Sequence, residues 1–106
     1  MITASQQFAA SVVAELVAQG VKNFYLAPGA RSQALAIAAG QLAGAGKLSL
    51  TVRLDERSLA FTALGRAMST SEPSVIITTS GSAVANLHPA VLEAHHSGVP
   101  LILLTA

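Results

Sequence analysis

Segments of helical periodicity alternate with short apolar, β-branched runs along this sequence. That alternation confines the chain to an α/β fold, a parallel sheet flanked by helices. Thr3 to Gln19 reads as the first helix. Thr3 and Gln6 form a capping box, and Phe8, Val12, Leu16 with Ala9, Val13, Val17 make two adjacent rows on one face. Gly20 is a natural stop. The spacing predicts a strand over Val21–Ala27, ended by Pro28-Gly29. Ser32 is placed to cap a second helix reaching Ala43, with Gly44 and Gly46 breaking it. A second strand follows over Leu48–Leu54. Asp55 caps a third helix to Met68, and Ser69–Pro73 reads as a loop. Ser74–Thr79 is a third strand, buried in character. Pro89 forbids one unbroken helix after it, since an interior proline costs about 3 kcal/mol. The segment splits into a short turn of helix at Ser82–Leu87 and a helix from Pro89 that ends before Gly98. Leu101–Thr105 is the fourth strand.

The composition narrows the function classes. The chain has 106 residues, one small domain's worth, yet 52% are hydrophobic and only 10% charged. So dry a small domain is expected to meet further protein, as additional domains or a partner subunit. A net charge of +1 and 4% aromatics give no support to a nucleic-acid partner. Cysteine is absent, which excludes disulfides and thiolate chemistry. No signal-peptide pattern opens the sequence and no apolar run has the length of a membrane span, so a cytoplasmic location is expected. The sequence stops directly after a strand, with no helix to cover it, which reads as a piece of a longer chain.

Three loops after strands carry the candidate chemistry, and in a parallel sheet they share one edge. In Leu54-Asp55-Glu56-Arg57-Ser58, the two acids read either as helix-start residues favoured by the macrodipole or as a working carboxylate at the rim. Asp55 is the better cap and Glu56 the better catalytic candidate, because a capping oxygen is occupied by backbone N–H groups. In Ala27-Pro28-Gly29-Ala30-Arg31-Ser32, Arg31 reads either as a surface cation or as a bidentate partner for an anionic substrate group beside a helix N-terminus. In Thr79-Ser80-Gly81-Ser82, Gly81 permits close backbone approach to a ligand, or the stretch is a plain turn. Neither serine sits in a G-x-S-x-G elbow. His88, His95 and His96 lack a further ligand at metal-site spacing and read as structural or surface residues. Gly44-Ala45-Gly46 lacks the third glycine of a dinucleotide loop.

At these loops the chain resembles the N-terminal pyrimidine-binding domain of thiamine diphosphate enzymes, and within them the menaquinone-pathway synthases. The matching stretches are Ala27–Ser32, Leu54–Ala60, Thr79–Ala94 and Leu101–Ala106, in order and spacing over nearly the whole chain. Each is weak alone, and four in register are specific. The resemblance implies that residues 1–106 are a pyrimidine-binding domain. Glu56 would hydrogen-bond N1′ of the aminopyrimidine and promote loss of the thiazolium C2 proton. Ser80 and Gly81 would contact the cofactor, and Arg31 and Ser32 the substrate. The implied reaction decarboxylates 2-oxoglutarate and adds the succinyl carbanion to isochorismate. It further implies Mg²⁺, held with the diphosphate by a separate domain, and a homodimer or homotetramer whose sites form between subunits. The 106 residues alone are then expected neither to bind the cofactor tightly nor to turn over. The family loop usually reads Pro-Gly-Ser-Arg; Ala30 stands for that serine, and a typical hydrogen bond worth about 1 kcal/mol would be missing.

Overall fold

The computed structural model describes residues 2–106. Its elements run α1 (Ala4–Ala18), β1 (Asn23–Leu26), a 3₁₀ turn (Ala30–Ser32), α2 (Gln33–Gly44), β2 (Ser49–Val52), α3 (Glu56–Thr70), β3 (Ser74–Thr78), α4 (Ser82–Ala85), α5 (His88–Ser97) and β4 (Leu101–Thr105). Local chemistry sets the helix limits. Thr3 Oγ1 accepts from the Gln6 N–H at 3.1 Å, and Gln6 Oε1 accepts from the Thr3 N–H at 3.0 Å, closing the expected capping box. Gly20 ends α1 at φ +93°, with its N–H on the Val17 carbonyl at 3.0 Å and the Val21 N–H on that of Leu16 at 3.0 Å. Pro89 falls in the first turn of α5, where its missing N–H costs nothing. α3 runs two residues past Met68 to Thr70, closed by the Ser71 N–H on the Ala67 carbonyl at 2.9 Å, and the Ser69 and Thr70 hydroxyls both donate to the Arg66 carbonyl, at 3.1 and 2.8 Å.

The strands form one parallel sheet in the order β2-β1-β3-β4. β1 and β3 are central and wholly buried, while β2 and β4 are partly exposed edges. Strand alternation divides the core into two faces. Phe24, Leu26, Val75 and Ile77 point toward Ala9 and Val13 of α1 and Ala38 and Ala39 of α2. Tyr25 and Ile76 point the other way, toward Leu59, Ala60 and Ala63 of α3 and Ala90 of α5. The observed strands β1 and β2 are shorter than the apolar runs that announce them. Val21 is drawn into the turn that closes α1, and Leu54 stands 85% exposed beyond the ladder. The wide apolar face expected for α1 is also narrower. Ala9 and Val13 are buried but Phe8 is 73% exposed, because α1 packs chiefly against α2 and shows the sheet only a thin stripe.

Candidate active site

The register brings the C-terminal ends of the strands level, with Leu26 beside both Val52 and Ile77. The loops after β1, β2 and β3 therefore leave from one edge, as the sequence pattern predicts. From the centre, the connection β1–α2–β2 turns one way over one face. The connection β3–α5–β4 turns the other way over the opposite face. Such a reversal marks the sheet edge at which open parallel sheets usually bind ligands.

Glu56 is the first residue of α3 and half-buried at this rim. Its backbone is fixed from below by Leu59, Ala60 and Ala63, all fully buried against the sheet. The capping contact belongs to Asp55, whose Oδ2 accepts from the Ser58 N–H at 2.9 Å. That bond holds the Asp55 carboxyl below the usual carboxylate range, with lesser help from the Ser58 hydroxyl. A depressed folded-state value stabilises the fold above the unfolded value of about 3.9, and the contribution is lost as pH falls through the folded value. Asp55→Ala should therefore melt below the parent at neutral pH, with the gap closing under acid. A gap that stays constant from pH 7 to pH 2.5 in thermal unfolding would contradict the cap.

The loop after β1 is built by close approach. Gly29 is extended, at φ −165° and ψ 158°, so its backbone shape does not demand glycine. Space does: a Cβ there would collide with Thr79 Cβ and lie 2.6 Å from Thr79 Cγ2 and 3.1 Å from Thr79 Oγ1. The loops after β1 and β3 thus touch with nothing between them. Ser32 differs from its expected place. It does not cap α2 with its side chain; it is 1% exposed, and its Oγ donates to the Gly29 carbonyl at 3.1 Å. Burial in the 3₁₀ turn commits that hydroxyl to loop structure. Arg31, one residue earlier, is exposed and borders a depression shared with Ala30 and with Thr3, Ser5 and Gln6 of the α1 start. Ser80 is half-buried, and Gly81 adopts φ +81°, ψ −136°, a conformation that side chains disfavour.

The loops that bear Arg31, Glu56, Ser80 and Gly81 thus leave one edge of the sheet, with Arg31 on the side of the α1 start. Sequence reasoning did not single out Thr79, nor Arg57, Phe61 and Asn86, which with Asp55 and Ser58 line a shallow depression between α3 and α4. A groove of about 640 Å³ lies elsewhere, between α1 and α2, and the described residues that line it, Ile2, Gln6, Ala10 and Ile37 among them, include no ionisable side chain. His88, His95 and His96 are exposed on α5, and among the described residues no three potential metal ligands come together. No helix among them is long and apolar enough to cross a membrane.

Comparison with known proteins points in one direction. Residues 6–106 match the family described as thiamine pyrophosphate enzyme, N-terminal TPP binding domain. A 2-succinyl-5-enolpyruvyl-6-hydroxy-3-cyclohexene-1-carboxylate synthase from Leifsonia xyli is 56% identical over 99 residues, covering 93% of this chain and 17% of that protein. Proteins of the same name from Kineococcus radiotolerans and Haloarcula marismortui are 54% and 52% identical over 96% and 93% of this chain, and over 18% and 16% of their own lengths. The chain therefore spans less than a fifth of the curated relatives it matches. Among solved structures, benzoylformate decarboxylase from Polynucleobacter necessarius superposes with a TM-score of 0.75 over 92% of this chain and 18% of its own; at 19% identity it shares the fold.

Proposed function

The chain belongs to the thiamine pyrophosphate enzyme family, and from that premise we propose that it is the pyrimidine-binding part of a longer synthase. That synthase decarboxylates 2-oxoglutarate and adds the succinyl carbanion to isochorismate in menaquinone biosynthesis. One observation carries the reading: Glu56 sits half-buried on the first turn of α3, at the rim that also bears Arg31 and Gly81. The residues suit the cofactor. An aminopyrimidine needs a carboxylate at N1′ that is partly shielded from water, and Glu56 offers a half-buried one on a backbone anchored by buried Leu59, Ala60 and Ala63. Ser80 and Gly81 let backbone approach the ring closely.

When bound, thiamine diphosphate supplies the carbanion chemistry. This chain's residues supply position and proton control. Glu56 holds and exchanges the proton at N1′. Arg31 pairs with a substrate carboxylate, a planar bidentate match. Ser32 keeps the Arg31 loop in shape. The diphosphate and Mg²⁺ are assigned to a separate domain, and the site is completed between subunits of a homodimer or homotetramer in the cytoplasm. The dry composition and exposed Leu54, Phe61 and Val84 suit such coverage.

The test is an assay of the full-length protein with 2-oxoglutarate plus isochorismate, against pyruvate. Turnover of the first pair is expected; turnover of pyruvate alone would move the chain to another branch of the family. A second measurement bears on Ala30. Ala30→Ser restores a hydroxyl beside Arg31, and a gain of about 1 kcal/mol corresponds to a roughly fivefold lower KM for the substrate it meets. An unchanged KM would remove Ala30 from the substrate contacts.

A further inference from the structure

We infer that Gly29 and Thr79 form a size-matched clamp that positions Arg31 for its substrate carboxylate, an inference that rests on the reading of Arg31 above. The two loops meet where no side chain fits at Gly29, since the atom an added Cβ would strike is Thr79 Cβ, which cannot rotate away. The Gly29 carbonyl also takes two bonds from Ser32, from its N–H at 3.3 Å and its Oγ at 3.1 Å. Between Gly29 and Ser32 lie only Ala30 and Arg31. The backbone of Arg31 is thus held at one end by contact with the β3 loop and at the other by a buried hydroxyl. Below the contact, the Ala27 N–H on the Ile77 carbonyl at 3.0 Å ties the same two loops to the sheet. Arg31 itself is exposed, so its guanidinium takes its starting point from the backbone of the 3₁₀ turn, held by this clamp on one side and by α2 on the other. Displacing Gly29 from Thr79 moves the root of Arg31, whereas Glu56, carried by β2 and α3, stays in place.

Gly29 and Thr79 are positioning residues, and they act through Arg31. The experiment uses the full-length synthase and measures KM for each substrate, kcat and the Kd for thiamine diphosphate. Arg31→Ala first identifies the substrate whose KM depends on Arg31. Gly29→Ala should then raise that same KM about tenfold or more, and at least threefold more than it changes the other KM, kcat or the cofactor Kd, which the displaced Thr79 reaches only through Ser80 and Gly81. Thr79→Gly removes the struck Cβ, so Gly29→Ala with Thr79→Gly should return KM to within about threefold of Thr79→Gly alone. In the Arg31→Ala background, Gly29→Ala should add less than a twofold effect. Should Gly29→Ala not fold, Ser32→Ala adds no bulk and should raise the same KM several-fold. Equal losses in kcat and cofactor affinity, no rescue by Thr79→Gly, or full additivity with Arg31→Ala would overturn the clamp. Those failures are separable from failure of the proposed function, which would appear as an unmodified enzyme inactive on the substrate pair.

Discussion

Glu56→Gln should lower kcat of the full-length protein on the order of 10²–10⁴-fold, the range that general acid–base groups contribute. Glutamine keeps the size and the helix-start position of glutamate but cannot exchange a proton, as the role proposed for Glu56 at N1′ requires. Because Asp55 does the capping, the substitution leaves the α3 start intact, and the unfolding temperature should move by only a degree or two. The two readouts together matter. A large loss of rate with an unchanged melt identifies a chemical role at the rim. Activity preserved within a few-fold would return Glu56 to the status of an ordinary helix-start acid.

The largest effect on stability is expected at Phe24. Its ring is fully buried in the central strand and faces Ala9, Val13, Ala38 and Ala39 across the sheet–helix interface. Alanines face the ring from both helices, and the leucines and isoleucines of the same cluster are already packed among other neighbours, so the space that Phe24→Ala opens is refilled only in part. Truncations of this kind cost about 3–5 kcal/mol, against a whole-domain stability of about 5–15 kcal/mol. The unfolding temperature should fall by about 10 °C or more. A fall of under about 3 °C by calorimetry would mean that the two faces collapse onto the vacated site, and that the core is less tightly built than its burial indicates.

Much of this architecture is legible in the residues themselves. Helix limits follow from neighbours along the chain: Thr3 with Gln6, Asp55 with Ser58, Gly20 after α1, Pro89 at the head of α5. These are contacts within one turn, and side-chain type decides them. The common rim of the three loops follows too, because alternation of helix and strand forces parallel strands to finish together. Glu56 and Arg31 could be singled out on that ground, and the resemblance of their loops gave each a role.

Other properties depend on which parts of the chain meet. The β-branched run of β3 already reads as buried, but nothing local marks β1 as its central partner or β2 and β4 as edges; the strand order does. Phe8 has the periodicity of a core residue, yet α2 lies where the other side of α1 would have found the sheet, and Phe8 faces outward. Ser32 has the sequence position of a cap, but burial turned its hydroxyl to the Gly29 carbonyl instead. Sequence by itself determined the elements, their caps and the edge that carries the candidate chemistry, since short-range hydrogen bonding and hydrophobic period suffice for these. Only the tertiary structure decided the Gly29–Thr79 contact and the burial of Ser32. Steric fit between residues far apart along the chain exists only after the strands have assembled.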